Sequence, residues 1–231
     1  MTTIENNLQA MRARIAAACQ DAGRDVSQVQ LLAVSKTFPA ASVQQALDAG
    51  QRDFGENYIQ EAVAKIGELA GMPAVWHCIG PIQGNKTRLV AEHFDWAQSV
   101  DRLKIAQRLS DQRPAHLAPL QVCIQVNTDG GPTKAGVTPE ALPELARAIS
   151  RLPRLRLRGL MTIPEPAADF TSACALHARA RALLDALNAQ GLALDTLSMG
   201  MSADVEAAIH AGSTMVRVGT AIFGGRTRTT A

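Results

Sequence analysis

Aromatic residues and lysines are both scarce in this 231-residue chain. Aromatic residues make up 3% of it, with a single tyrosine, and five lysines stand against eighteen arginines. The formal net charge at neutral pH is only +2. Surfaces that bind nucleic acids usually carry a basic stripe or stacking aromatic side chains. Composition and charge therefore do not favour a nucleic-acid partner.

Cysteines are few and far apart, and no C-x-x-C pair is present: Cys19, Cys78, Cys123 and Cys174. This distribution is typical of reduced, buried thiols in a cytosolic protein. No apolar run approaches the length of a membrane span, and the N-terminus has no apolar signal core. No group of His, Cys and carboxylate residues has the spacing of a metal site. We expect a cytoplasmic protein with no membrane or metal partner.

Eight strand-like segments alternate with helix-like segments along the whole chain. The strand candidates are residues 30–36, 52–54, 74–80, 95–100, 120–127, 155–162, 196–200 and 215–220. Such alternation with short connections predicts parallel strands joined by crossover helices. Eight units fit a closed (β/α)8 barrel, which usually has about 250 residues. An open doubly wound sheet is the alternative, but no G-x-G-x-x-G follows the first strand.

The same pattern predicts one domain over residues 1–231, with a frayed tail at 224–231. An extra helix precedes the first strand, and we expect it to cover the bottom of the barrel. Helix ends are predicted from capping residues. These are Thr2 with Glu5, Gly23, Asn57 with Gln60, Asp101, Thr138 with Pro139, Asp169, Ser202 and Gly212.

Lys36 closes the first apolar strand, just before the strand-breaking Thr37-Phe38-Pro39. The other four lysines lie in polar or helix-like surroundings. A lysine held against apolar neighbours is more often a free amine, and free amines attack aldehydes and ketones to form imines. On this segment alone, a solvated lysine at a strand end remains the alternative.

Two late loops have the composition of a phosphate site. In a (β/α)8 barrel, the loops after strands seven and eight often hold phosphate at the carboxyl end. Ser202 is placed to cap a helix, Gly219 permits close backbone approach, and Thr220 offers a hydroxyl and an N–H. Asp204 in the same first turn would compete with an anion, and an ordinary helix cap is the other interpretation of Ser202.

Three further polar residues have two interpretations each. Arg217 on an apolar strand needs a partner, either a ring nitrogen or carboxylate of a ligand or a core ion pair. Asn57 is either a helix cap or a polar group that faces a ligand. His77 is either a packed core residue or a residue of the barrel mouth. The loop 128–136 lacks the G-x-x-x-x-G-K-[ST] spacing and is interpreted as a mobile βα loop.

Five groups of residues, in order, resemble those of the pyridoxal phosphate homeostasis proteins, the YggS/PROSC family. They are Ala33-Val34-Ser35-Lys36-Thr37, Phe54-Gly55-Glu56-Asn57-Tyr58, Trp76-His77-Cys78-Ile79-Gly80 with Gln83-Gly84-Asn85-Lys86, Arg158-Gly159-Leu160-Met161, and Leu197-Ser198-Met199-Gly200-Met201-Ser202 with Val216-Arg217-Val218-Gly219-Thr220. The resemblance spans nearly the whole chain. It departs at Cys78, where the family usually has a larger apolar residue, and at Gly131, where it commonly has a glutamate.

The resemblance implies a barrel similar to the N-terminal domain of alanine racemase, with pyridoxal 5′-phosphate (PLP) bound as an imine to Lys36. It places the phosphate near Ser202, Gly219 and Thr220 and the pyridine nitrogen near Arg217, with Asn57 and Met199 lining the pocket. We expect a monomeric cytoplasmic carrier that takes part in PLP homeostasis, with PLP-dependent apoenzymes as recipients.

Two enzyme functions remain as alternatives to the carrier. An amino-acid racemase needs a second base, and the one tyrosine, Tyr58, is predicted on the same barrel as Lys36. An arginine beside the ring nitrogen would also weaken PLP as an electron sink. A class I aldolase would use Lys36 on a phosphorylated sugar directly, and only the family motifs count against it.

Overall fold

The computed structural model describes residues 2–130 and 135–225. Its strands are β1 (Gln30–Val34), β2 (Asp53–Glu56), β3 (Val75–Cys78), β4 (Trp96–Val100), β5 (Leu120–Gln125), β6 (Leu155–Met161), β7 (Thr196–Ser198) and β8 (Met215–Val218). Its helices are α1 (Thr3–Asp21), α2 (Ala40–Asp48), α3 (Ile59–Glu68), α4 (Thr87–His93), α5 (Leu103–Gln112), α6 (Leu142–Ser150), α7 (Phe170–Ala189), α8 (Val205–His210) and α9 (Thr220–Phe223). Short 3-10 turns occupy Val26–Gln28 and Gly84–Lys86.

The eight strands form a closed parallel barrel. β1 pairs with β2 on one side and with β8 on the other, so the sheet has no free edge. The predicted (β/α)8 barrel is confirmed. The β1–β8 register sets Leu32 beside Arg217 and Ala33 beside Val218. Because all strands are parallel, their carboxyl ends open on one face, the mouth, where Lys36 and the loops after β7 and β8 lie.

Helix α1 does not cover the bottom of the barrel, contrary to expectation. It packs against α2, α8 and α9 and buries one apolar face that includes Leu8, Met11 and Ile15. The physical reason lies at the other end of the chain. The helix after β8 has only four residues, so α1 fills the place in the outer layer that a full eighth helix would take.

Several capping predictions are confirmed. The Thr2 hydroxyl accepts from the Glu5 amide while the Glu5 carboxylate accepts from the Thr2 amide, which is a complete capping box. Gly23 follows the end of α1 with a φ of +63°, and Asp169 caps α7 through the Ser172 amide. These are caps whose partners lie within three residues in sequence, so local spacing was sufficient to find them.

Other boundary predictions are wrong. The N-cap positions of α3, α5 and α8 are Tyr58, Arg102 and Asp204, so Asn57, Asp101 and Ser202 do not cap those helices. Helix α6 begins at Leu142, beyond the predicted start at Thr138-Pro139. β1 ends two residues before Lys36, and Thr220 begins a helix that was predicted as strand.

The four cysteines are free. Cys19, Cys78 and Cys123 are buried and Cys174 is half-buried. Burial raises the pKa of Cys78 and of Cys123 to about 12. The predictions for Gly131 and Lys134, and for residues 226–231 of the tail, lie outside the described residues. In the described ranges no helix has both the length and the apolar character needed to cross a membrane.

Candidate functional site

Lys36 lies at the rim of the mouth, in a turn two residues beyond β1, and its side chain is half-buried. The preceding residues fix the direction of this turn. Val34 pairs with Gly55 of β2, and the Ser35 amide donates to the Gly55 carbonyl at 3.0 Å. The other neighbour of β1 is β8, so the backbone of Lys36 lies between the carboxyl ends of β2 and β8.

Arg217 lies inside the mouth on β8 and is only 5% exposed. Its Nη1 donates to the Ser198 hydroxyl and its Nη2 donates to the Thr162 carbonyl, both at 2.8 Å. These are neutral partners, and within the described residues Arg217 forms no ion pair, so the core ion pair is not what holds it. Burial lowers its pKa to about 10, which leaves the group charged at neutral pH. The two bonds use only part of its five N–H donors.

A chain of buried hydrogen bonds runs from Arg217 through the barrel interior. Ser198 Oγ donates to Gln98 Oε1 at 2.7 Å, and Gln98 Nε2 lies 2.9 Å from His77 Nδ1. His77 Nε2 in turn lies 3.1 Å from Asp53 Oδ1. With the amide donating to Nδ1, the imidazole proton sits on Nε2 and points to Asp53. Every hydrogen bond in this chain therefore runs in the same direction, from the mouth toward the amino ends of the strands, and Asp53 is the final acceptor.

His77 is a packed core residue, the first of its two interpretations. It is fully buried, and its ring stacks on Trp96 with centroids 5.1 Å apart. Burial lowers its pKa, so the ring stays neutral. A neutral ring can accept from Gln98 and donate to Asp53 at the same time, which the protonated ring cannot do. The buried chain of hydrogen bonds thus depends on an uncharged His77.

Asn57 follows β2 directly and presents an amide at the rim. Its Oδ1 is buried, and among the described residues it has no hydrogen-bond partner. Gly80 lies against its backbone, since a Cβ on Gly80 would stand 2.3 Å from the Asn57 carbonyl oxygen. The helix-cap interpretation is excluded, because Tyr58 holds the N-cap position. An unsatisfied buried amide at a site mouth favours the interpretation that Asn57 faces a ligand.

The loops after β7 and β8 bring polar groups together at neighbouring strands. Gly219 lies close over the end of β1, since a Cβ there would stand 3.2 Å from the Val34 carbonyl oxygen. The amides of Ile222 and Phe223 donate to the Gly219 carbonyl. For the amides of Thr220 and Ala221 the described residues offer no acceptor.

Ser202 lies in the loop between β7 and α8, two residues before Asp204. Its carbonyl accepts from Arg14 Nη1 at 2.8 Å, whereas its hydroxyl has no hydrogen bond to any described residue. Asp204 is already engaged, because its carboxylate accepts from the Met201 amide at 2.7 Å and pairs with His177 Nε2 at 2.8 Å. The expected competition between Asp204 and an anion is thereby reduced.

Helix dipoles contribute little to this arrangement. α8 has six residues and α9 has four, and a macrodipole needs several aligned turns. Anion binding would rest instead on the amides after Gly219 and the hydroxyls of Ser202 and Thr220. Met199 is fully buried beneath these loops.

Sequence reasoning missed a buried ion pair beside Lys36. Lys65 and Glu56 are 4% and 1% exposed, and Lys65 Nζ lies 2.6 Å from Glu56 Oε1. The sequence did contain a signal for this. The buried residues of α3 are Ile59, Ala62 and Lys65, a spacing of three that puts the lysine on the face that packs against the barrel.

Comparison with known proteins shows which family this chain matches. The model for the alanine racemase N-terminal domain matches residues 6–227. The pyridoxal phosphate homeostasis protein of Pseudomonas aeruginosa is 62% identical over 226 residues, covering 98% of this chain and 97% of the relative. This chain belongs to the pyridoxal phosphate homeostasis protein family. The resemblance noted in the sequence motifs is confirmed.

Solved structures agree with this membership of the pyridoxal phosphate homeostasis proteins. PipY of Synechococcus elongatus, solved with PLP bound, is 40% identical with a TM-score of 0.84 and covers 96% of this chain and 100% of its own. An alanine racemase of Clostridium difficile has a TM-score of 0.75 at 15% identity, covering 99% of this chain and 58% of the racemase. The second likeness shows the shared barrel fold alone.

Proposed function

We propose that this chain binds PLP at the barrel mouth through Lys36 and serves as an intracellular carrier in PLP homeostasis. The observation that carries the proposal is the position of Lys36 after β1, between the ends of β2 and β8, at the same mouth as the buried Arg217 and the turn at Gly219. When bound, PLP supplies an aldehyde that an amine can join covalently and a ring that withdraws electrons.

The residues of the mouth fit such a group. Arg217 has unused N–H donors for the lone pair of a ring nitrogen, and its charge would keep that nitrogen unprotonated. Asn57 carries a buried amide oxygen that lacks a partner within the described residues. Ser202, Gly219 and Thr220 offer hydroxyls and amides to a phosphate, and Met199 packs beneath the loop. Each chain group then has one task, either to bind the phosphate, to orient the ring or to hold the aldehyde carbon.

The carrier is favoured over the racemase and the aldolase. The Arg217 guanidinium would donate to the ring nitrogen, whereas a strong electron sink requires that nitrogen to be protonated. Tyr58 is 53% exposed at the outer rim, where water would compete with proton transfer to a substrate. Family membership counts against the aldolase. The proposal is completed by a single PLP-binding domain, a monomeric state, a cytoplasmic location and PLP-dependent apoenzymes as recipients.

The test is covalent capture of PLP by one lysine. Purified protein mixed with PLP should gain a visible absorption band, and borohydride reduction followed by peptide mass analysis should place the label on Lys36. Lys36→Ala should abolish the band. Lys104→Ala removes an exposed lysine of α5 and should leave the band unchanged, as the matched control. An unlabelled Lys36 in wild-type protein after reduction would contradict the proposal.

Carrier and enzyme are separated by a second measurement. Protein loaded with PLP should restore activity to a PLP-free apoenzyme faster than PLP that dissociates from the loaded protein into solution could do. The chirality of a panel of amino acids should stay unchanged in the same buffer. Racemisation that disappears in Lys36→Ala would instead establish an enzyme.

A further inference from the structure

The peptide groups on both sides of Lys36 are held by side chains that do not belong to the mouth. Lys65 Nζ donates to the Ser35 carbonyl at 3.0 Å and to Glu56 Oε1 at 2.6 Å. The Ser35 hydroxyl also donates to Glu56 Oε1 at 2.6 Å. The residue before Lys36 is thus fixed through its carbonyl and its side chain.

The residue after Lys36 is held by the same helix. The Thr37 amide donates to Glu61 Oε1 at 2.9 Å, and that oxygen lies 3.5 Å from Lys65 Nζ. Thr37 has a φ of +68°, and it is the one non-glycine residue in the described ranges with a positive φ. A left-handed conformation costs a β-branched residue about 1–2 kcal/mol. The bond from Glu61 offsets part of that cost.

Stability alone gives a weak reason for the cluster. Glu56 and Lys65 are almost fully buried, and the desolvation of such a pair often cancels its attraction. Burial also raises the pKa of Glu56. Strained backbone with a supporting network is more typical of functional sites. The cluster touches the chain at Ser35 and Thr37, the two neighbours of the amine.

We propose that Glu56, Lys65 and Glu61 form a clamp that positions Lys36, fixing the turn 35–37 so that its amine enters the mouth toward the ligand. The inference rests on the proposed function, since Lys36 must first bind PLP. The three clamp residues act through Ser35 and Thr37, the two neighbours of Lys36 in the chain. They are positioning residues, and Lys36 is the residue that reacts.

Glu61 is the sharpest place to test the clamp, because it is 41% exposed on its side chain and its removal leaves the buried pair intact. Glu61→Ala removes the acceptor for the Thr37 amide, and we expect the dissociation constant for PLP to rise about fivefold. Glu61→Gln keeps an acceptor oxygen and should stay within about twofold of wild type. Glu92→Ala on α4, a glutamate paired with Arg88 in the same helix, should bind as wild type does.

Induced circular dichroism in the visible band gives a readout that a merely structural role would not change. Its sign and intensity depend on a fixed orientation of the bound ring, so Glu61→Ala should reduce it at full saturation while Glu61→Gln preserves it. Equal losses in the two variants would assign the effect to charge and overturn the clamp. Unchanged affinity and dichroism in Glu61→Ala would also overturn it.

Thr37→Gly supplies an independent check. Glycine adopts a positive φ without the steric cost, so the turn should depend less on Glu61. In the Thr37→Gly background, Glu61→Ala should weaken PLP binding by less than about twofold. A loss as large as in the Thr37 background would contradict the clamp.

Failure of the clamp and failure of the proposed function give different results. If wild-type protein and Glu92→Ala bind no PLP, the proposed function fails. If both bind PLP with Lys36 labelled and the Glu61 variants do the same with equal affinity, only the clamp fails.

Discussion

A single residue, Arg217, combines burial with a retained charge. It is bonded to a hydroxyl and a carbonyl, and its pKa is lowered only to about 10. A guanidinium tolerates this because its charge is delocalised and weakly hydrated. Its orientation is fixed by the hydrogen bond to the Ser198 hydroxyl, which in turn donates to Gln98. The direction in which Arg217 faces the mouth therefore depends on residues deep in the barrel.

His77 gives this buried chain a measurable pH dependence. Burial lowers its pKa, so the unfolded chain takes up the proton first as the pH falls below about 6.5. The free energy of unfolding should then fall by up to about 1.4 kcal/mol per pH unit from this group, and its contribution is fully present above that pH. Denaturant unfolding between pH 7.5 and 5.5 measures the slope.

A comparison of variants isolates the contribution of His77. Glu56, whose pKa is raised, acts in the opposite direction because its ionisation destabilises the fold as the pH rises above about 4.5. This group is present in all variants and cancels in the difference. His77→Asn should show a smaller slope than wild type, whereas His116→Asn, which changes an exposed histidine, should keep it. Identical slopes in all three proteins would contradict the prediction.

At the residue scale, the sequence was sufficient to predict a candidate site residue where a reactive or charged side chain stands near the end of a predicted strand. Lys36 and Arg217 were proposed as site residues because the sequence predicted each to lie near the end of an apolar strand, and the structure brings both to the mouth. Lys65 was missed because a lysine in a helical pattern usually stays in water, and its burial depends on Glu56 across the β2–α3 connection. Asn57 and Ser202 were misplaced as caps because the true cap lies one or two residues later.

At the scale of elements, period and turn residues predicted all eight strands and their order. They did not predict the ends, since β1 and β8 each stop two residues early where a turn begins. The role of α1 was also beyond the sequence. It depends on the length of α9, and nothing in the pattern of residues 3–21 signals the vacant place beside α8.

Replacing two glycines by alanine should change the free energy of unfolding in opposite directions. A Cβ on Gly159 of β6 would stand 1.7 Å from the Thr196 carbonyl oxygen of β7, whereas a Cβ on Gly67 of α3 would meet nothing within 4 Å. Gly159→Ala should lower the free energy of unfolding by about 3 kcal/mol or more, because backbone must move. Gly67→Ala should raise it by about 0.5–1 kcal/mol through helix propensity. Urea unfolding of both variants gives the values, and a stable Gly159→Ala protein would show that the two strands can separate without cost.

At the scale of the whole molecule, the pairing of the first and last strands, which closes the barrel, brings the candidate site together. β1 and β8 pair along four residues, and this pairing brings Lys36 and Arg217 to one mouth although they lie near opposite ends of the chain. Ligand binding should therefore be linked to global unfolding, since the site exists only when the barrel is closed.

Mass action fixes the size of this link. At a free PLP concentration one hundred times the dissociation constant, the free energy of unfolding should rise by about 2.7 kcal/mol. Pyridoxal, which lacks the phosphate, should give a clearly smaller increase at the same concentration, because the amides and hydroxyls near Gly219 would have no anion to bind. Denaturant curves with each compound measure both increases. Equal increases would contradict a phosphate site in these loops.

The buried cysteines have a consequence for the handling of a reactive aldehyde. Thiolates add readily to carbonyl carbons, and a protein rich in them would trap such a compound at unintended positions. With their pKa values near 12, Cys78 and Cys123 stay almost entirely protonated at neutral pH. These two thiols are therefore poor nucleophiles at neutral pH and do not compete with an amine for an incoming carbonyl compound.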